Sequence, residues 1–278
     1  MDFTWLQSLL YGFLAGLTEI FPVSAQVHKV LLVKFFGTEG TTEFLDFLIH
    51  IAVLGGLYVS CRGQLVRISR ARALARIPKN RRKRPLDIRT LMDVKLLQTM
   101  LIPVIPALFA YQWTFSFKNR LILLSAFLFL NGVMLYVPQF LPSGNKDARN
   151  MSHAEGFFIG LGGAAAVLPG ISAIGASTSI ASVCGADRSY SLNMALLMDM
   201  VLTAGFLVVD LIAVFTNGVG TFSFLIFLRY LISAGLAFAA TLLAVRLLRM
   251  LAAKHTFALF GLYSFGVALF TFILNLMA

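Results

Sequence analysis

The chain has 278 residues, of which 59% are hydrophobic and 13% are charged, and its mean hydropathy is +0.85. Soluble domains carry about a quarter charged residues, so this composition excludes a soluble globular domain and indicates an integral membrane protein. The net charge is +11, and nearly half of the lysines and arginines lie between Arg62 and Arg89. This cluster predicts a segment that contacts anionic lipid headgroups, and without an adjoining soluble domain it argues against nucleic-acid binding.

The first predicted helix, residues 3–21, ends in a polar interruption of an apolar run. The interruption contains five polar or helix-breaking residues, Glu19, Pro22, Ser24, Gln26 and His28. A carboxylate at membrane depth costs at least about 2.5 kcal/mol on insertion scales, and proline stops a helix. Because irregular backbone cannot face lipid, we predict a broken helix whose interruption lines a polar cavity.

The rest of the first half is predicted as one short helix and three spans. Residues 24–36 are too few to cross the membrane and suit a half-helix that returns to the side it came from. Spans are predicted at 44–61, 94–113 and 121–141, with the basic segment 62–93 as a cytoplasmic loop. The polar linker 142–150 separates repeat one, about residues 1–141, from repeat two, about residues 151–278.

The second half begins with a similar interruption. Pro169, Gly170 and Ser172 lie between an apolar approach at 154–168 and a second half-helix at 172–184. Spans follow at about 190–214, 223–248 and 257–276. Paired interruptions at corresponding positions of two halves are typical of repeat-built membrane proteins, whose site lies between the repeats. Two proline-kinked core helices are the alternative interpretation of the same spacing.

The starts of the two half-helices are suited to binding an anion. Their first N–H groups lack partners, and Ser24 and Ser172 follow the prolines where an N-cap would lie. Phosphate is the usual occupant of such a site. Glu19 would then act as a metal ligand that bridges to phosphate oxygens, with Mg²⁺ or Ca²⁺, or as a general acid or base. His28 is either a reactive group or a hydrogen-bonded core residue.

Other acids and a second histidine within predicted spans have open interpretations. Asp46 and His50 are one helical turn apart, so they either pair with each other or contact a substrate. Asp199 and Asp210 are hydrogen-bonded structural acids or, in a transporter, proton carriers.

Two stretches resemble the signatures of the undecaprenyl-pyrophosphate phosphatase family of the bacitracin-resistance type. They are Gly16-Leu-Thr-Glu19 with Pro22-Val-Ser24 and His28, and Pro169-Gly-Ile-Ser172 with Gly175. The resemblance implies an all-α polytopic membrane protein, built as an inverted-topology repeat with two re-entrant helical hairpins. It also implies removal of one phosphate from the diphosphate of a C55 polyprenyl carrier in the bacterial plasma membrane.

The resemblance further implies roles for individual residues. Glu19, His28 and Ser172 would be catalytic, with Glu19 also a candidate metal ligand. Substrate binding would involve Ser24, Gln26, Pro169, Gly170, Gly175, Ser177 and Arg188. The polyprenyl phosphate or diphosphate is the expected partner, and a homodimer stays open.

The sequence departs from the family pattern at positions that matter for catalysis. Ala15 replaces a glutamate one turn before Glu19, and Ala173 and Ile174 replace the arginine and serine of Ser-Arg-Ser-Gly. Losing a phosphate clamp should cost several kcal/mol of transition-state stabilisation. Lys29 or Arg188 could supply the missing charge. Three hypotheses therefore stand: a phosphatase with impaired catalysis, a non-hydrolytic carrier or binder of polyprenyl phosphate, and a scaffold in an envelope complex.

Overall fold

The computed structural model describes residues 3–37, 43–114, 117, 120–218, 223–253 and 257–277. Within these ranges the chain is helical and contains no β-strand. The helices are α1 (Trp5–Ile20), α2 (Ala25–Phe36), α3 (Glu43–Arg76), α4 (Ile88–Thr114), α5 (Leu121–Tyr136), α6 (His153–Ala164), α7 (Ala173–Val183), α8 (Arg188–Asn217), α9 (Phe224–Ala252) and α10 (Ala258–Met277). Among the described helices, six are long and apolar enough to cross a membrane, namely α3, α4, α5, α8, α9 and α10. The predicted all-α polytopic class is confirmed.

The basic segment 62–93 differs from its prediction as a loop, because α3 continues through it to Arg76. Arginine, alanine and leucine favour helix, and apolar side chains of this extension pack against the core. Ala71 is buried and Ile68 packs against the main hydrophobic cluster, while the neighbouring Arg67, Arg70 and Arg72 are exposed. The helix ends shortly before Pro78, which disfavours helical geometry in the residue that precedes it.

Both proline interruptions turn the chain back on itself. Phe3 lies just before α1 and Phe36 ends α2, yet their ring centroids are 5.9 Å apart. In the second half, a Cβ added to Gly162 of α6 would lie 2.6 Å from Cδ1 of Ile180 in α7. Each interruption therefore forms a helical hairpin rather than a kinked rod. That the hairpins enter and leave the membrane at one face stays a prediction.

The two halves of the chain pack with a reciprocal pattern. The first helix of each half packs on the fourth helix of the other, so that α1 contacts α9 and α6 contacts α4. The third helices, α3 and α8, pack together, as do the fifth helices, α5 and α10. An inverted-topology repeat would produce this exchange of partners. The repeat boundaries themselves, about 1–141 and 151–278, stay predictions.

Glycines one turn apart allow the reciprocal contacts to be close. In α1, Gly12 and Gly16 lie against backbone atoms of Ser233 and Ala237 in α9. In α6, Gly160 lies against the backbone of Met100 in α4, where an added Cβ would meet backbone atoms. Small residues at this spacing let membrane helices approach until their backbones touch.

We therefore expect Gly160→Ala to destabilise the protein by about 2 kcal/mol, because backbone atoms of α4 would have to move. The matched control is Gly235→Ala on α9, where an added Cβ meets nothing within 4 Å. It should leave stability unchanged or raise it by up to about 1 kcal/mol. Thermal unfolding in detergent measures both, and equal melting temperatures for the two variants would contradict the close approach.

Candidate functional site

The two interruptions meet in the interior of the bundle. The N–H of Gly170 donates to Oγ of Ser24 at 3.0 Å, which joins the second hairpin directly to the first. Asn131 of α5 bridges the same two segments, because its Nδ2 donates to the carbonyl of Pro22 at 3.0 Å and its Oδ1 accepts from the N–H of Ser172 at 2.9 Å. All these groups are buried. The predicted meeting of the two tips is therefore present.

The backbone at this junction has unusual geometry. Ser24 has a φ of +62°, which is uncommon for a residue other than glycine, and its side chain does not cap α2. Gly170 has a φ of +127°, and a Cβ added there would lie 2.9 Å from the backbone nitrogen of Leu128. Strained backbone of this kind persists only where surrounding contacts hold it, and it is enriched at ligand sites.

A cavity of about 860 Å³ opens beside the junction and reaches Pro169 of the second hairpin. Charged and titratable side chains from α1, α2, α3 and α8 line it, together with an apolar wall. The charged and titratable set comprises Glu19, Lys29, Lys34, Glu43, Asp46, His50 and Asp210, with Tyr11 and Tyr111 beside them. A volume of this size is typical of small-molecule sites.

The side chains at the centre of the cavity form a connected network. Nε2 of His50 lies 3.5 Å from Oε1 of Glu19, and Nδ1 of His50 is hydrogen-bonded to Oδ2 of Asp210. Nζ of Lys29 lies 3.5 Å from Oδ1 of Asp46 and 3.5 Å from Nε2 of His50. The network therefore places each of three carboxylates next to one of two basic groups, which offsets part of the cost of removing charged side chains from water.

Asp46 and His50 contact other residues of the network, so the interpretation in which they pair with each other is not the arrangement found. The hydroxyl of Tyr11 donates to Oδ1 of Asp46 at 2.8 Å, so Asp46 holds Tyr11 and Lys29. Asp210 holds His50 and belongs to the cavity, whereas Asp199 is buried outside its lining. Oδ2 of Asp199 has no hydrogen-bond partner within the described part of the chain.

His28 lies on the opposite face of α2 from the cavity. It is about 200° around the helix from Gln26, at about 100° per residue, and Gln26 lines the cavity. Its Nε2 is 2.8 Å from the hydroxyl of Tyr263 on α10, and its Nδ1 is 2.7 Å from the carbonyl oxygen of Ser24. The catalytic role of His28 stays a prediction, and this geometry gives it a local structural function.

The remaining candidates of the second hairpin occupy different positions. Oγ of Ser172 accepts from the N–H of Gly175 at 3.2 Å and caps α7. Ser177 is fully buried, with Oγ 3.8 Å from the sulfur of Met198. Arg188, at the start of α8, lines a separate small pocket with Thr178. Of the two cations that could replace the missing arginine, Lys29 therefore reaches the cavity and Arg188 does not line it.

Asn131 is a buried residue of the junction that sequence analysis missed. It has no exposed surface, and it also donates to Oγ of Ser264 at 3.2 Å. The sequence does indicate this residue, because Asn131 is an amide within the apolar run predicted at 121–141. Polar groups at membrane depth usually have partners and functions.

The side chains in the cavity do not suit a resident divalent cation. Mg²⁺ and Ca²⁺ need several oxygen ligands, but of the four carboxylates that line the cavity, Glu19, Asp46 and Asp210 each already face a basic group. Among the residues that the structure describes, no group of three or more His, Cys, Asp or Glu side chains is arranged to hold a metal ion. A requirement for Mg²⁺ or Ca²⁺ at Glu19 stays an expectation from the sequence.

The sequence of this chain is similar to those of known proteins. The model of a family described as bacitracin resistance protein BacA matches residues 8–270. A protein of Methanobrevibacter smithii called undecaprenyl-diphosphatase is 28% identical over 272 residues, which is 96% of each chain. Proteins with the same name from Rubrobacter xylanophilus and Prochlorococcus marinus are 29% identical over 273 residues and 26% identical over 283 residues. The match to the Rubrobacter xylanophilus protein covers 95% of each chain, and the match to the Prochlorococcus marinus protein covers 98%.

Proposed function

This chain belongs to the bacitracin resistance protein BacA family, and on that basis we propose that it is a membrane phosphatase acting on polyprenyl diphosphate. The products would be the polyprenyl monophosphate and inorganic phosphate, as needed to recycle a lipid carrier of the cell envelope. The relatives called undecaprenyl-diphosphatase match nearly the whole chain, and they favour hydrolysis over transport without hydrolysis.

The observation that supports this proposal most is the position of Glu19. Its carboxylate lines the cavity that extends to Pro169, where the two interruptions meet. The first N–H groups of α2 are not capped by the Ser24 side chain, and Gln26 follows them on the cavity wall. These groups can bind phosphate oxygens while Glu19 faces the same space.

The apolar wall of the cavity suits the other end of such a substrate. It is formed by side chains of α2 and α8, namely Val30, Val33, Phe206, Val209, Ile212 and Ala213. A substrate whose diphosphate lies at the N-terminus of α2 could therefore extend its isoprenoid chain along the apolar wall toward the membrane. Hydrophobic walls combined with a few convergent polar groups are typical of sites that bind amphipathic ligands.

In the proposed reaction, a water oxygen forms a bond to the terminal phosphorus. The bond between that phosphorus and the bridging oxygen breaks, and the polyprenyl monophosphate leaves with the electron pair. Glu19 accepts the proton of the attacking water as general base. His50, held by Asp210, orients the Glu19 carboxylate and can pass that proton on.

A multi-pass protein with six apolar spanning helices among its described residues belongs in a membrane, and we place it in the bacterial plasma membrane. The arginine-rich extension of α3 would lie on the cytoplasmic side and contact anionic lipids.

Phosphate release from purified protein tests the proposed function. The protein in detergent is given undecaprenyl diphosphate or farnesyl diphosphate, with Mg²⁺ or with EDTA, and inorganic phosphate is counted. Release above a protein-free control is expected. Tight binding of the monophosphate lipid with no release under either condition would contradict hydrolysis and leave the carrier hypothesis.

Asp210→Asn should lower kcat about tenfold with little change in KM. Asparagine can still accept a hydrogen bond from His50, but it lacks the negative charge that holds the His50 ring in position. The matched control is Asp147→Asn, an acid in the polar linker that pairs with Arg149. Initial rates of phosphate release at several substrate concentrations separate kcat from KM. A variant with unchanged kcat would contradict the orienting role of Asp210.

A further inference from the structure

The first hairpin and the second contribute unequally to the charge of the site. In the second hairpin, the position of the family arginine is Ala173, which is buried and carries no charge. Arg188 lines a pocket apart from the cavity. A phosphate that enters the cavity must therefore find its cation elsewhere, and α2 presents two, the largely buried Lys29 and the exposed Lys34.

Lys29 lies on the cavity face of α2, one turn after Gln26. Its side chain is only 12% exposed, so it is held inside the cavity rather than extended into solvent. An ammonium has three N–H donors, and the neighbours of Nζ, namely Asp46 and His50, both lie at 3.5 Å. Donor capacity is therefore available for a phosphate oxygen.

A short chain of contacts positions the Lys29 ammonium. The hydroxyl of Tyr11 donates to Oδ1 of Asp46, and the same oxygen faces Nζ of Lys29. Asp46 comes from the first turn of α3 and Tyr11 from the middle of α1, so two other helices hold the lysine in place. A cation that is already positioned loses less conformational entropy when it binds a ligand.

The ammonium faces Asp46, one of the two carboxylates that a shared divalent cation would need. A metal ion shared by Glu19 and Asp46 would have to displace Lys29 or His50 from their carboxylates. A fixed positive charge aimed at phosphate oxygens can instead stabilise the charge that develops in phosphoryl transfer. Lysine binds phosphate as a point charge and needs no planar bidentate geometry.

We propose that Lys29 is the phosphate-binding cation of this site and that hydrolysis consequently does not require a divalent metal ion. The inference rests on the proposed function. It names a residue that the family signatures do not contain, and it assigns to α2 a charge that those signatures place on the second hairpin.

The first part of the test compares metal conditions. Purified full-length protein is stripped with EDTA, and release of phosphate from farnesyl diphosphate is measured with EDTA and with added Mg²⁺. The proposal expects rates that agree within about threefold, because the protein supplies the charge itself. Loss of release in EDTA with recovery on addition of Mg²⁺ would overturn metal independence.

The second part compares variants in EDTA. Lys29→Gln should lower kcat/KM about 100-fold, whereas Lys29→Arg, which keeps the charge, should stay within about tenfold of the parent. Lys95→Gln, at an exposed lysine of α4, is the matched control and should behave as the parent. Equal kcat/KM for Lys29→Gln and the parent would overturn the proposal, as would loss of activity in Lys29→Arg when its melting temperature is unchanged.

Binding separates this proposal from the proposed function. Affinity for farnesyl monophosphate is measured in EDTA, where no turnover is needed, and Lys29→Gln should weaken it about tenfold or more. If the parent releases no phosphate under any condition, hydrolysis is refuted. Weakened binding by Lys29→Gln would still support the phosphate-binding role of Lys29, and unchanged binding would refute it.

Discussion

Glu19→Gln is expected to lower kcat for phosphate release about 1,000-fold, because glutamine cannot accept a proton from the attacking water. The substitution keeps the size of the side chain, which is 12% exposed and faces His50. It should therefore leave the fold and the cavity intact. The measurement is single-turnover phosphate release, with the melting temperature recorded for the same preparation.

Glu155→Gln is the matched control for that experiment. Glu155 lies in the first turn of α6, where it pairs with Lys146 and completes a capping box with Ser152, which a glutamine can also complete. Its release rate should equal that of the parent. A general base usually contributes much more than tenfold to the rate. If Glu19→Gln retains more than about a tenth of the parental rate, Glu19 therefore does not act as the general base.

Asn131→Ala is expected to lower the free energy of unfolding by about 3 kcal/mol and to abolish most of the activity. The substitution leaves the carbonyl of Pro22 and the N–H of Ser172 buried without their partner, and each unsatisfied buried group costs about 1–3 kcal/mol. It also removes the side chain that fixes one interruption against the other. Thermal unfolding in detergent and phosphate release measure the two effects.

The control for Asn131 is Asn150→Ala, an exposed residue of the polar linker. It should change neither the melting temperature nor the rate. A parental melting temperature and parental activity in Asn131→Ala would show that the Ser24–Gly170 hydrogen bond and side-chain packing suffice to hold the two tips together.

Local chemistry in the sequence determined the helical architecture and the positions of its breaks. Apolar runs of sufficient length predicted the spans that form α3, α4, α5, α8, α9 and α10. Proline accompanied by polar residues marked the two interruptions, whereas Pro103 and Pro106 lie within α4. The error at the basic segment has a local cause as well. Charge indicated a loop, but arginine is a good helix former, so α3 continued beyond the predicted span.

The tertiary structure decided which polar side chains share a cavity. The helical period shows that Gln26 and Lys29 lie on one face of α2 and His28 on the other, but it does not show which face the cavity meets. His50 and Asp210 are 160 residues apart in the chain and become neighbours only because α3 packs on α8. Asn131 likewise acquires its role from the two hairpins that meet beside α5. Sequence spacing carries information about neighbours along one helix, whereas the site is made of contacts between helices.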